Sequence, residues 1–406
     1  MGSRILVIAV ILAVCCCGLQ AAEDTNGVQR FVQEKFLISF WFDPPADANM
    51  DKHYRQIAEA NFTVTMGRFG AHEPNGTRRQ IALSEKYGMG ALIYTGGFEA
   101  NELPNSKTVW GYMIQDEPSA ADFPKLQKRV AELRAVRPGK LAFINLFPDY
   151  ATPEQLGTKT YEEYVDKFVK EVNVDVLSMD YYPHFKPGKD ERDGYCGNLE
   201  VMRKFSLERG IPFWNFFNTM LFQDHTDPTE AQIRWQIWTS LTYGAKGVMY
   251  FCYWTPGGKG EFIQGWALVT SDGRLTRHYE QAKRINAELK KLGPTLMKLN
   301  STGAYRVKTG DDYRKILAGT PIKSLTAGEY LVGVFKHADG RRAVMLNNYE
   351  FAYTSWPTVV FDGDPNKVVE VSSETGKEIA IIDDSPNMEG LQISLDAGMG
   401  RLFLLP

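Results

Sequence analysis

From Phe36 onward the chain alternates two hydrophobic periods. Short, nearly continuous apolar runs are followed by longer stretches whose apolar residues recur at helical spacing, as in Tyr161 to Val172. Eight such runs stand out: 36–42, 62–66, 91–94, 109–114, 141–145, 174–179, 211–216 and 247–254. Helical patterns lie at 50–60, 79–87, 123–136, 161–172, 199–208, 231–243 and 279–292, and the stretch after the third run carries the weakest one. Strands without polar alternation are buried on both faces, which marks a parallel sheet. Eight βα units predict an α/β fold, a (β/α)8 TIM barrel, in preference to an open doubly wound sheet. No Gly-rich phosphate turn follows the first run.

Beyond Gly293-Pro294 the period changes to short apolar runs such as 330–335, 342–346, 358–361 and 401–404. Asp339-Gly340, Asp362-Gly-Asp-Pro365 and Thr375-Gly376 supply turns between them. This predicts a C-terminal antiparallel β-sandwich, with packing as its default role. The first residues read differently again. Arg4, an apolar run from Ile5 to Cys17 and small Ala21-Ala22 have the pattern of a secretory signal peptide, and the run is too short to span a bilayer. The expected division is therefore 1–22 signal peptide, 23–294 barrel and 295–406 sandwich. A secreted or periplasmic location follows, and a lipid anchor on Cys15 to Cys17 is the weaker reading because Val14 is bulky.

Composition adds little until the aromatics. There are 46 basic and 49 acidic side chains, so nothing in the balance points to a nucleic acid partner. No other stretch has the length and apolar character of a membrane span. Beyond the leader only Cys196 and Cys252 remain, and either one disulfide or two buried thiols fits. Asn61, Asn75 and Asn300 head glycosylation-acceptor triplets. Aromatics reach 12%, which suits a protein that stacks on sugar rings as well as one with a large core.

In a barrel of this kind the chemistry sits at the C-terminal ends of the strands. The residues leaving the eight runs are Asp43, Arg68, Glu99, Asp116-Glu117, Asn145, Asp180 with Tyr182 and His184, Trp214 and Asn215, and finally Tyr253 and Trp254. Carboxylates, amides and aromatics dominate. No His or Cys spacing suggests a metal, and no cofactor motif is present, so none is expected. Carboxyl groups for proton transfer beside aromatics for ring stacking are the inventory of a glycosidase acting on carbohydrate. The sharpest feature is Trp110-Gly-Tyr-Met-Ile-Gln-Asp116-Glu117-Pro118, in which two adjacent carboxylates meet at a strand end. Glu117 is the expected general acid/base and Asp116 its partner. Asp180 is the best second carboxylate, with Asp43 and Glu99 behind it; the other residues are expected to bind substrate. Trp235 and Trp238, at i and i+3, are expected to be outer-layer core.

The eight-unit layout with a Glu after strand four resembles the retaining TIM-barrel glycoside hydrolases of clan A. The closing Gly244-Ala-Lys-Gly-Val-Met-Tyr-Phe-Cys-Tyr-Trp254-Thr-Pro256 and the following sandwich look like those of β-galactosidase-type members. That resemblance implies a nucleophilic Glu at the end of strand seven, where Ile211-Pro-Phe-Trp-Asn-Phe-Phe-Asn218 has none. The Asp116-Glu117 pair is similar to that of substrate-assisted hexosaminidases, which implies a 2-acetamido group as nucleophile, Asp116 orienting it and Tyr182 assisting. Two routes stay open, substrate assistance or a second carboxylate, and a non-catalytic carbohydrate-binding barrel is the rival from another class. The sequence leaves oligomeric state undetermined.

Overall fold

The computed structural model describes residues 27–257 and 264–406; the signal peptide expected over 1–22 lies outside them. The eight apolar runs form β1 (Leu37–Phe40), β2 (Val64–Met66), β3 (Gly90–Tyr94), β4 (Val109–Asp116), β5 (Leu141–Asn145), β6 (Leu177–Asp180), β7 (Phe213–Asn218) and β8 (Gly247–Phe251). They pair in parallel as two four-stranded sheets, β1-β8-β7-β6 and β2-β3-β4-β5. Backbone bonds tie the sheets at both seams. Thr63 N–H donates to Ile38 O at 2.9 Å, and Leu146 N–H donates to Ser178 O at 2.8 Å. Alternate residues point inward, so Leu37, Val64, Leu92, Met113, Phe143, Trp214 and Met249 share one core inside the strands.

The outer layer consists of α1 (Met50–Glu59), α2 (Pro74–Lys86), α3 (Phe123–Val136), α4 (Pro153–Leu156), α5 (Tyr161–Glu171), α6 (Arg192–Arg209), α7 (Glu230–Thr242) and α8 (Arg277–Leu296). Side-chain caps start four of them: Thr152, Thr160, Thr229 and Thr276 each accept a backbone N–H of the first turn. Between β3 and β4 there is only a 3-10 turn, Ala100–Glu102. Two helices begin earlier than periodicity predicts. In α2, Pro74 opens the helix, where its missing N–H costs nothing. In α6, Gly194 breaks the apolar rhythm for a packing reason: a Cβ there would meet the Tyr181 hydroxyl at 2.4 Å.

After α8 the chain forms β9 (Leu299–Val307), α9 (Tyr313–Ile316), β10 (Ile322–Leu325), β11 (Tyr330–His337), β12 (Arg342–Asn348), β13 (Thr358–Phe361), β14 (Val369–Val371), β15 (Glu378–Ala380), β16 (Leu391–Gln392) and β17 (Gly400–Leu405). A six-stranded antiparallel sheet, β15-β14-β17-β12-β11-β9, faces a three-stranded one, β10-β13-β16. Strand β12 shows how one sheet serves two interfaces. Val344 and Leu346 meet Val359 and Phe361 of the smaller sheet. Ala343 and Met345 point the other way, into a core with Ile237 and Leu241 of α7. Trp235 and Trp238 are buried in this layer, and Trp235 packs 5.3 Å from Tyr349. Cys196 and Cys252 are separate buried thiols. Among the described residues no helix is long and apolar enough to cross a membrane.

Candidate functional site

The site starts from an irregularity in β4. Opposite β5, Met113 pairs with Phe143, Gln115 with Ile144 and Asp116 with Asn145, so Ile114 is an extra residue. Tyr112 and Ile114 point outward into the helix layer. Simple alternation would send Asp116 outward as well. The bulge reverses that parity and sets Asp116 level with Asn145, whose Nδ2 lies 3.4 Å from Asp116 Oδ1. Glu117 follows in the left-handed region, φ 45°, with its N–H donating to Asn145 O at 2.8 Å. Pro118 then turns the chain away.

Asn145 is the hub. The same Nδ2 donates to Asp180 Oδ1 at 2.9 Å, while Ser178 Oγ donates to Asn145 Oδ1 at 2.8 Å and fixes the orientation of the amide. Asp180 is buried, and its pKa is held well above the ordinary range by burial, then by the charges of Glu117 and Asp116. Asp116 is also raised by burial, against the opposing pull of Arg68 and Asn145. Arg68 Nη1 stands 3.7 Å from Asp116 Oδ2. Glu117 is exposed to solvent at the mouth, yet burial of its carboxyl among surrounding atoms and the Asp116 charge raise it to about 7. Three carboxyl groups in one cluster cannot all ionise cheaply, so a proton is retained near neutral pH.

Tyr182 points inward from the β6 exit and hydrogen-bonds Asp180. Its ring packs 5.1 Å from Phe251 and 5.3 Å from Phe222. Two further aromatics belong to this end and were not singled out from the sequence. Trp41, at the β1 exit, carries the Arg68 guanidinium 5.2 Å above its ring and packs 5.7 Å from Phe216. It was absorbed into the first apolar run, although its position matches the inward parity of Leu37. Tyr150, in the loop after β5, is half exposed, packs 5.0 Å from Tyr181 and feels the Asp180 and Glu117 charges. Its place just beyond Asn145 was the available signal.

The remaining expected residues do not join this group. Asp43 is buried, and its carboxylate accepts the backbone N–H groups of Arg68, Phe69, Gly70 and Ala71 at 2.7–3.0 Å. It anchors the loop that presents Arg68 instead of contacting substrate. Glu99 is exposed and caps the 3-10 turn after β3. Trp214 lies deep in the strand core, with Nε1 donating to Gln33 Oε1 at 2.8 Å. Asn215 has outward parity, so its Nδ2 donates to Tyr195 Oη and Ser240 Oγ under α7. Tyr253 packs between Phe40 and Phe62. Trp254 is buried against His53. His184 is buried between Trp235 and Phe351, which lowers its pKa to about 3. At the end of β7, Asn218 Nδ2 is held by Met220 O and Thr226 O.

Among the described residues no cluster of His, Cys, Asp and Glu has the arrangement of a metal site. A hollow of about 750 Å3 lies at the opposite, N-terminal ends of the strands, lined by Phe36, Thr63, Gly90 and Trp110. Its half-buried Lys140 is engaged by the carbonyls of Ser106 and Val109, so it offers no comparable chemistry.

Two solved structures that match nearly the whole chain share this architecture. The β-galactosidase from Bacillus circulans sp. alkalophilus matches 92% of this chain and 99% of its own, with TM-score 0.59 and 10% identity. A glycoside hydrolase family 5 protein from Bacteroides vulgatus matches 94% of this chain and 90% of its own, with TM-score 0.54 and 11% identity. The match to the β-galactosidase from Marinomonas ef1 spans 63% of this chain and 60% of that chain, with TM-score 0.49 and 11% identity. No protein-family model matches the sequence, and no curated protein sequence does. At these identities the likeness is one of fold.

Proposed function

We propose that this chain is a glycoside hydrolase in which Glu117 is the general acid/base. The carrying observation is the Glu117 carboxyl, raised to about 7 at the C-terminal ends of the parallel strands beside Asp116 and Asp180. A carboxyl that keeps its proton near neutral pH can deliver it to a glycosidic oxygen as the C1–O bond breaks, and can take one from water afterwards. Asp116, next to the Arg68 cation, supplies negative charge opposite an oxocarbenium-like transition state. Trp41 and Tyr182 offer faces and a hydroxyl to a sugar. In the same proposal the two sheets close into a (β/α)8 barrel, the seam bonds supporting that closure, and residues 1–22 direct secretion.

The group that faces C1 opposite the leaving group, as nucleophile or as base for water, has two candidates. One is Asp180, whose separation from the acid would set retention or inversion. The other is the substrate's own 2-acetamido group, with Asp116 orienting it; turnover confined to 2-acetamido sugars identifies this route. The test of the central reading is Glu117→Gln assayed on a panel of glycosides that the unaltered chain cleaves. Full retained activity overturns it, because the change removes the titrating group and little else.

One observation favours a second reading. Strand β7 ends in Asn218, held by backbone carbonyls, with no carboxylate at the position of a clan A nucleophile. A non-catalytic carbohydrate-binding barrel has no use for such a group. Saturable glycan binding with no turnover on any panel member decides for that reading.

A further inference from the structure

We propose that the β-sandwich carries a second saccharide-binding site, outside the carboxylate cluster, which grips a neutral polysaccharide chain. This rests on the glycosidase reading for its substrate class. The site is a hollow of about 430 Å3, within the range of ligand pockets. Its wall includes Tyr353 and Trp356 from the loop joining β12 to β13, and Met388 opposite. These side chains are 60%, 57% and 54% exposed, among the most exposed large apolar groups of the described residues.

The exposed rings do not belong to a slack loop. Asn348 Nδ2 donates to Tyr353 O at 2.8 Å and to Leu395 O at 3.2 Å. Ser355 and Leu395 exchange two backbone bonds of 2.9 and 2.8 Å. Two aromatics held firmly and left in water are a binding feature, because nothing in the fold rewards their exposure. The hollow is also electrically quiet. Glu329 is paired with Arg306 and accepts Thr309 N–H at 2.7 Å, and Glu350 lies 3.7 Å from Arg192. The other polar residues of the lining include Thr309, Thr326, Thr358 and Gln392, all uncharged. Aromatic faces beside neutral hydroxyl and amide groups complement a sugar, which has an apolar ring face and a hydroxyl rim. An acidic or basic partner finds no unpaired opposite charge there.

Position links this hollow to the cleft. Phe351, in the same loop, packs 5.2 Å from His184, four residues beyond Asp180. The loop therefore abuts the segment that follows β6, the strand that carries Asp180.

The experiment uses the full chain with Trp356→Ala, Tyr353→Ala and the double variant, each checked by thermal unfolding. Retention is measured by affinity electrophoresis through galactan, mannan, xylan, glucan and solubilised chitin. The expected result is that the unaltered chain is retarded by at least one polymer. The double variant should lose about tenfold in affinity for it, while turnover of short glycosides stays within twofold. Unchanged retention in the double variant overturns the proposal, as does absence of retention by every polymer, or a change only in oligomeric state by size-exclusion chromatography. Glu117→Gln separates the two readings. If it keeps full turnover the catalytic assignment fails, yet loss of retention in the Trp356 and Tyr353 variants still supports the sandwich site.

Discussion

The amide nitrogen of Asn145 stands 2.9 Å from Asp180 Oδ1 and donates to it across the seam between the two parallel sheets. The same nitrogen reaches Asp116 Oδ1 at 3.4 Å, so the two carboxylate oxygens lie no farther apart than the sum of those lengths, 6.3 Å. One neutral donor thus holds two acids that would otherwise repel each other. Asn145→Ala is expected to lower kcat roughly 100-fold with a smaller change in KM, as for lost positioning. The bond to Asn145 lowers the pKa of both acids, so its removal should move the acidic limb of the pH–rate profile upward. An unmoved limb would reduce Asn145 to a structural role.

Glu117, with its carboxyl raised to about 7, is protonated below that pH and ionised above it. A general acid in that state makes kcat/KM fall as pH rises through about 7. Glu117→Gln should cost roughly 10²–10⁴-fold and remove the basic limb. The limb surviving in that variant would assign it to another group.

The carboxyl cluster should weigh against stability. Glu117 titrates at 4.5 when unperturbed and at about 7 when folded. Between these values the unfolded chain is ionised while the folded chain keeps its proton, so stability falls as pH rises. Glu117 is exposed, which limits its share to about 1 kcal/mol or less. Buried Asp180 is shifted in the same direction. Asp180→Asn is therefore expected to raise Tm more at pH 8 than at pH 5, by roughly 1–2 kcal/mol of stability, while activity falls. Calorimetry at the two pH values checks the sign.

Asp43 accepts four backbone N–H groups, three on Oδ1 and one on Oδ2. Asp43→Ala leaves those donors without an acceptor and should destabilise the fold by roughly 3 kcal/mol. It also frees the loop that carries Arg68. Asp43→Asn retains one carbonyl oxygen and should lose less on both counts. Equal denaturant midpoints for the two variants would contradict the anchoring role.

Much of the site was legible as strand exits, and some of the errors concern the direction in which a side chain leaves its strand. Asn145, Asp180 and Tyr182 were found by proximity to a strand end, and all point inward. Asn215 met the same criterion but points outward, because side chains alternate along a strand. Tyr253, two residues beyond the end of β8, also points outward, although alternation from Met249 and Phe251 would have turned it inward. Parity was readable from the sequence for Asn215. It was not readable for Asp116, whose inward direction depends on the bulge at Ile114.

The sequence by itself determined the alternation of buried strands and amphipathic helices, the shift to short turn-separated strands after Pro294, and the adjacency of Asp116 and Glu117. These are local properties, set by periodicity and by chain neighbours. Tertiary structure decided which polar residues share one space. Asn145 bridges Asp116 and Asp180 only because three strands align in register, and Asp43 became an anchor only because the loop 68–71 folds over it. Burial, register and shared protons are relations between distant residues, and no local pattern encodes them.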